Sequence, residues 1–105
     1  MDIEFKPQRR EDTVEYIKKG DSLFVNGKEF NFSPLLKNQT LPSSAIDCEY
    51  IVGTVSRDSE GNLTLQLILP NPLNFSQEQA FPEKLYNVKD GIVEQPSRVP
   101  SEETN

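Results

Sequence analysis

One stretch, Asp47 to Pro70 (DCEYIVGTVSRDSEGNLTLQLILP), constrains the fold more than any other part of the chain. Between Leu63 and Leu69 leucines alternate with Thr64, Gln66 and Ile68, and a period of two places successive side chains on opposite faces of an extended strand. A row of leucines on one face needs an apolar cover, so this strand is expected to floor the core. The run before it, opening at Cys48, Tyr50 and Ile51, reads as its hairpin partner. Gly53 interrupts that partner strand and points to a bulge or a close backbone approach. The turn from Asp58 to Asn62 is polar, with Gly61 where a left-handed residue is wanted. Asp58 and Glu60 supply fewer oxygens than a calcium loop needs at its fixed offsets, so the turn is read as solvated rather than metal-binding.

The rest of the chain repeats the alternation in shorter pieces. Ile3 and Phe5 alternate with Asp2, Glu4 and Lys6 up to Pro7, which predicts a short strand at a sheet edge, where charge and proline are tolerated. Thr13 to Lys18 alternates again, and Lys19-Gly20-Asp21 supplies a tight turn. Ser22–Val25 and Lys28–Phe32 flank Asn26-Gly27, a dipeptide that accepts positive φ at both central positions and suits a type I′ hairpin. Phe24, Phe30 and Phe32 on this hairpin are expected to add aromatic bulk to the core. Ser33 to Ile46 breaks the alternation and reads as a crossover loop, with Ser43 or Ser44 capping a single helical or 3₁₀ turn. Near the end, Glu83–Val88 and Ile92–Glu94 around Asp90-Gly91 predict a last short hairpin.

Pro70 to Pro82 (PNPLNFSQEQAFP) is the longest irregular segment after the central hairpin. Its prolines exclude a central strand or a long helix, although Ser76 to Ala80 suits one helical turn. Phe75 and Phe81 are expected to pin the segment to the body. Loops carried on a rigid scaffold are where binding residues concentrate, so Asn71, Leu73, Asn74, Phe75 and Gln77 are the candidate partner-binding residues. Residues 1–94 are expected to form one β domain, with 95–105, rich in proline and charge, as a disordered tail.

Charge and composition narrow the chemistry. The net charge is -6, and it lies entirely in the second half: Met1–Ile46 carries 7 basic and 7 acidic residues, Asp47–Asn105 carries 4 and 10. Such a surface repels phosphate backbones and anionic lipid, which disfavours nucleic-acid and membrane binding. Arg9 and Arg10 are followed at once by Glu11 and Asp12, a solvated turn rather than an anion site. The chain has no histidine, the commonest general base and metal ligand. Its one cysteine, Cys48, excludes an internal disulfide and multi-cysteine zinc sites, fits a reducing compartment and is expected to be a buried, inert thiol. No run approaches the ~20 apolar residues of a membrane span, and the first ten residues have no signal-peptide core. The sequons at Asn31, Asn38, Asn62 and Asn74 read as chance matches.

Taken together, the motifs resemble a family of small, uncharacterised phage and prophage proteins encoded in the tail region of the genome. Pro7, Gln8, Arg9, Arg10, Asp12 and Thr13 match its opening PQRR-D-T element. Gly20, Asp21, Leu23, Asn26, Gly27, Phe30, Phe32, Ser33, Pro34 and Leu35 match its G-D-x-L-x-x-N-G-x-x-F-x-F-S-P-L block. Thr40–Ile46, the leucine strand Leu63–Pro70, and the Phe81-Pro82 pair complete the pattern, which leaves out only the tail. The resemblance implies a tail-associated or tail-assembly protein located in the host bacterial cytoplasm or the phage virion. It brings no catalytic residue and no cofactor.

The expectation is thus an all-β single domain, an antiparallel meander of about eight short strands folded into a sandwich or partly open barrel. The expected function is non-enzymatic: a minor tail component or assembly accessory that binds another protein, in the first instance a phage tail protein, with self-association left open. The alternative is a host-directed regulatory module whose acids imitate nucleic acid and occupy a host factor's basic groove. An enzyme would need convergent carboxylates in a pocket, since histidine is missing.

Overall fold

The computed structural model describes residues 1–71 and 76–96. Two four-stranded sheets face each other as a sandwich, not a closed barrel. The first sheet contains β1 (Asp2–Arg9), β5 (Thr40–Pro42), β6 (Ile51–Arg57) and β7 (Leu63–Asn71) in the order β1-β7-β6-β5. The second contains β2 (Tyr16–Lys19), β3 (Ser22–Val25), β4 (Lys28–Asn31) and β8 (Gly91–Ile92) in the order β4-β3-β2-β8. A 3₁₀ turn, Ser43–Ala45, follows β5, and a one-turn helix α1 (Gln77–Ala80) follows β7.

The leucine row does what its alternation predicts. Leu63, Leu65, Leu67 and Leu69 are all buried on an interior strand between β1 and β6, while Thr64 and Gln66 on the opposite face are half-buried. Against the row pack Ile3 and Phe5 of β1, Tyr16 of β2, Leu23 and Val25 of β3, and Val55 of β6. Each large aliphatic side chain buried this way contributes roughly 1.5–3 kcal/mol. The core is therefore the shared interior of the two sheets, floored by β7.

The connectivity departs from an antiparallel meander in two places. β1 pairs with β7 in parallel, Asp2 opposite Thr64 through Arg9 opposite Asn71, a register that stacks Ile3 beside Leu65 and Phe5 beside Leu67 on the buried face. Pro7 does not end this strand. β1 lies at the sheet edge, where a residue without an N–H breaks no ladder. The second departure is at the other end of the chain. Leu85 forms an isolated bridge with Ile3 of the first sheet, whereas Gly91–Ile92 pairs antiparallel with β2 of the second. No terminal hairpin forms, because each half of that segment finds an open edge on a different sheet.

Local turn chemistry acts as its residues dictate. Asn26 and Gly27 have φ of 50° and 88° and join β3 to β4, the positive angles of a type I′ turn. Asn26 also anchors the hairpin sideways: its Oδ1 accepts from the Glu15 N–H, and its own N–H donates to the Glu15 carbonyl, both at 2.9 Å. On this hairpin Phe32 is buried and Phe30 packs against the core, while Phe24 is only half-buried. The register between β6 and β7 shifts between Val52 and Ser56, a bulge around Gly53. In the solvated turn, Asp58 Oδ1 accepts from the Glu60 and Asn62 N–H groups at 2.9 Å. The crossover does contain a 3₁₀ turn, but the residues just before that turn, Thr40–Pro42, form β5, an edge strand that pairs with β6. Pro42, not a serine, stands at the N-cap of that turn, and no side-chain bond caps it.

Candidate functional site

Where β1 and β7 end together, a cleft of about 430 Å³ opens, lined among others by Arg10, Asp12, Val14, Leu69, Gln79 and Gln95. Its position follows from the parallel register: Arg9 and Asn71 leave the sheet side by side, and the Arg10 N–H donates to the Asn71 carbonyl at 2.9 Å. From there the β1–β2 connection, through Asp12 and Val14, lines the cleft together with Gln79 of α1 and Gln95.

The charged wall of the cleft is a closed cluster. The Arg10 guanidinium grips Asp12 with two bonds, Nε to Oδ1 at 2.8 Å and Nη2 to Oδ2 at 2.7 Å. It also reaches Glu49 at 3.1 Å and Gln8 at 3.0 Å, and stacks 4.9 Å above the Tyr50 ring. Tyr50 donates its O–H to Asp12 Oδ2. The Arg10 fork and then the Tyr50 hydroxyl hold the Asp12 carboxyl down at about 2. The same Asp12 bond, followed by burial, pushes the Tyr50 phenol up. With Nε and Nη2 taken by Asp12 and Glu49 and Nη1 turned to Gln8, Arg10 is already neutralised by acids, in accord with the adjacent Glu11 and Asp12 in the sequence.

The predicted binding residues separate. Asn71 is 4% exposed, and its Nδ2 donates to the Gln79 carbonyl at 2.7 Å, so its side chain ties β7 to α1 rather than facing outward. Its Oδ1 is buried and has no hydrogen-bond partner among the described residues. Gln77 is the exposed first residue of α1. Leu73, Asn74 and Phe75 lie outside the described residues, as do residues 97–105 of the expected tail; the expectation that Phe75 pins the loop falls there too. α1 forms where the sequence places it, because Ser76 and Gln79 complete a reciprocal capping box. Phe81 does not pin the segment: it is 77% exposed. At the start of the expected tail, Gln95 is held, its Nε2 donating to the Val14 carbonyl at 2.8 Å.

Sequence reasoning missed two things. Arg57 is 11% exposed and clamps the two sheets, donating to the carbonyls of Leu35 at 2.6 Å, Gly61 at 2.7 Å and Phe32 at 3.0 Å, and to Asp21 at 3.3 Å. Only its place at a strand end before a turn hinted at such a role. The second is the outward apolar surface of the segment between α1 and β8, with Phe81 and, at 65% exposure, Tyr86. Cys48 is half-buried, not fully enclosed, and lines a second groove of about 370 Å³ beside Phe30 and Lys28.

Among the described residues no group of three or more His, Cys, Asp or Glu side chains is placed to hold a metal ion, and no helix is long and apolar enough to cross a membrane. No family model matches the chain, and neither a curated protein nor a solved structure matches it.

Proposed function

We propose that this chain is a non-enzymatic phage or prophage protein, a minor tail component or tail-assembly accessory that acts by binding another protein. The observation that carries the reading is the exposed aromatic pair on one short segment, Phe81 and Tyr86. Two large aromatic side chains left in water between α1 and β8 are a poor use of apolar area in a core, and aromatic residues are enriched in protein interfaces. The family resemblance supplies the tail context, and a chain without histidine lacks the commonest catalytic base.

The test is affinity capture of the tagged chain, wild type and Phe81→Ser/Tyr86→Ser, from induced cells carrying the parent prophage, with mass spectrometry of what is retained. The expected result is a tail or baseplate protein on the wild type that is lost on the double variant. Recovery of a host nucleic-acid-binding factor without any tail protein overturns the reading.

A further inference from the structure

We propose that the outer edge of β2 is a docking edge for an extended segment of a partner protein, and that residues 90–95 are its built-in occupant, a strap that the partner displaces. This deepens the protein-binding reading above and rests on it. The two sides of β2 are held unequally. β3 pairs with it at four positions, from Tyr16 opposite Val25 to Lys19 opposite Ser22. On the other side, among the described residues, only Ile17 opposite Ile92 and Lys18 opposite Gly91 are paired as strand.

The strap's remaining hold comes from groups that any extended chain of the same chemistry would bring. Asp90 Oδ1 accepts from Lys18 Nζ at 2.7 Å and from the Gly20 N–H at 3.0 Å. Val93 is buried, and its N–H donates to the Tyr16 carbonyl at 2.9 Å. Gln95 then carries the ladder on to Val14 with its side-chain amide. Ile92, between these anchors, is 65% exposed, and Glu94 also faces solvent.

Read along β2, the edge thus selects a carboxylate, then three residues later a buried valine, with main-chain pairing between them. Main-chain bonds for affinity and alternate side-chain seats for specificity are the physics of strand addition. The ion pair is asymmetric: the Lys18 side chain is 12% exposed and Asp90 63%. The lysine belongs to the groove, and the carboxylate is the exchangeable half. Short, largely exposed pairings of this kind open locally before the rest of a fold does. The occupant is therefore an extended segment of another protein with Asp or Glu three residues before Val or Ile.

The experiment is a reducible lock. Ile17→Cys and Ile92→Cys, in a Cys48→Ser background, place cysteines directly opposite each other on antiparallel strands, where Cα atoms about 4.5–5.5 Å apart fall within disulfide range. A fluorescein-labelled peptide with the sequence of Lys89–Pro96 is titrated by anisotropy against the oxidised and the reduced protein. The reduced chain is expected to bind at least about tenfold more tightly, because the oxidised strap keeps its intramolecular advantage. A peptide with Asn in place of the acid is expected to bind more weakly. Val93→Thr, which loosens the strap at nearly constant shape, is expected to bind the peptide more tightly than wild type. Equal binding in both redox states, or no binding in either and none to Val93→Thr, overturns the proposal. Capture of the same tail protein by oxidised and reduced chains also overturns it while leaving the general protein-binding reading intact. Capture by neither removes that reading, and the peptide titration then judges the edge by itself.

Discussion

Tyr16 on β2 donates its phenolic O–H to the carbonyl of Ile68 on β7 at 2.6 Å, a buried bond that joins one sheet to the other. Tyr16 is fully buried, and that burial holds its phenol well above the ordinary range, so it remains a donor at any ordinary pH. Its ring lies 6.4 Å from that of Phe5, inside the core. Tyr16→Phe keeps the packing and removes only the bond, so it is expected to cost about 1–2 kcal/mol. Urea unfolding checks this, with the slope expected to stay unchanged and only the midpoint to fall.

Arg57 satisfies three carbonyls with one rigid fork. A lysine carries the charge but cannot reach three acceptors in a plane. Arg57→Lys is therefore expected to destabilise by about 1–2 kcal/mol, from part-buried acceptors left bare. Hydrogen exchange should show protection lost first at Asn38 and Gln39, whose N–H groups bond in this connection. Unchanged stability in the lysine variant would mean that the clamp contributes only its charge.

Gly53 stands at the β6 bulge with φ +66°, and a Cβ there would run into the side-chain amide of Gln66. Gly53→Ala combines left-handed strain, about 1–2 kcal/mol, with a clash that a flexible side chain can partly relieve. Adding Gln66→Ala should recover the steric share and leave the strain. Full recovery in the double variant would show that the backbone angle costs nothing.

Acid should loosen the Arg10–Asp12–Tyr50 cluster. Asp12 titrates at about 2 in the folded chain, below its ordinary 3.8, because Arg10 and then Tyr50 hold its charged form. A depressed carboxyl contributes stability that is present above its unfolded value and lost as pH falls through the folded one. The window is therefore from about pH 4 down to about pH 2. Stability measured across this range is expected to fall in wild type, with the Asp12 share of that fall absent in Asp12→Asn. If the variant loses stability as steeply as wild type over the same window, the cluster is not the acid-labile element.

How much of this was legible depends on the range over which each signal acts. Leu63–Leu69, Ile3 with Phe5, Asn26-Gly27 and the Ser76/Gln79 cap encode their geometry within a few residues, through side-chain alternation, positive φ and a local hydrogen bond. Those features appear in the fold as their residues dictate. Phe81 misled, because an aromatic residue in a proline-rich loop has the same local signature whether it turns inward or outward. Asn71, read as part of a partner-facing loop, is instead the last residue of β7, and the parallel register carries it into the interior beside α1.

The sequence by itself thus determined an all-β chain, its leucine floor and most of its turns, because strand period and turn angle are properties of neighbours along the chain. Only the tertiary structure decided that β1 runs parallel to β7, that residues 85 and 91–92 serve different sheets, and that Arg57 bridges them. An open strand edge accepts any partner with compatible hydrogen bonds, and which one arrives is settled by the burial of side chains far apart in sequence.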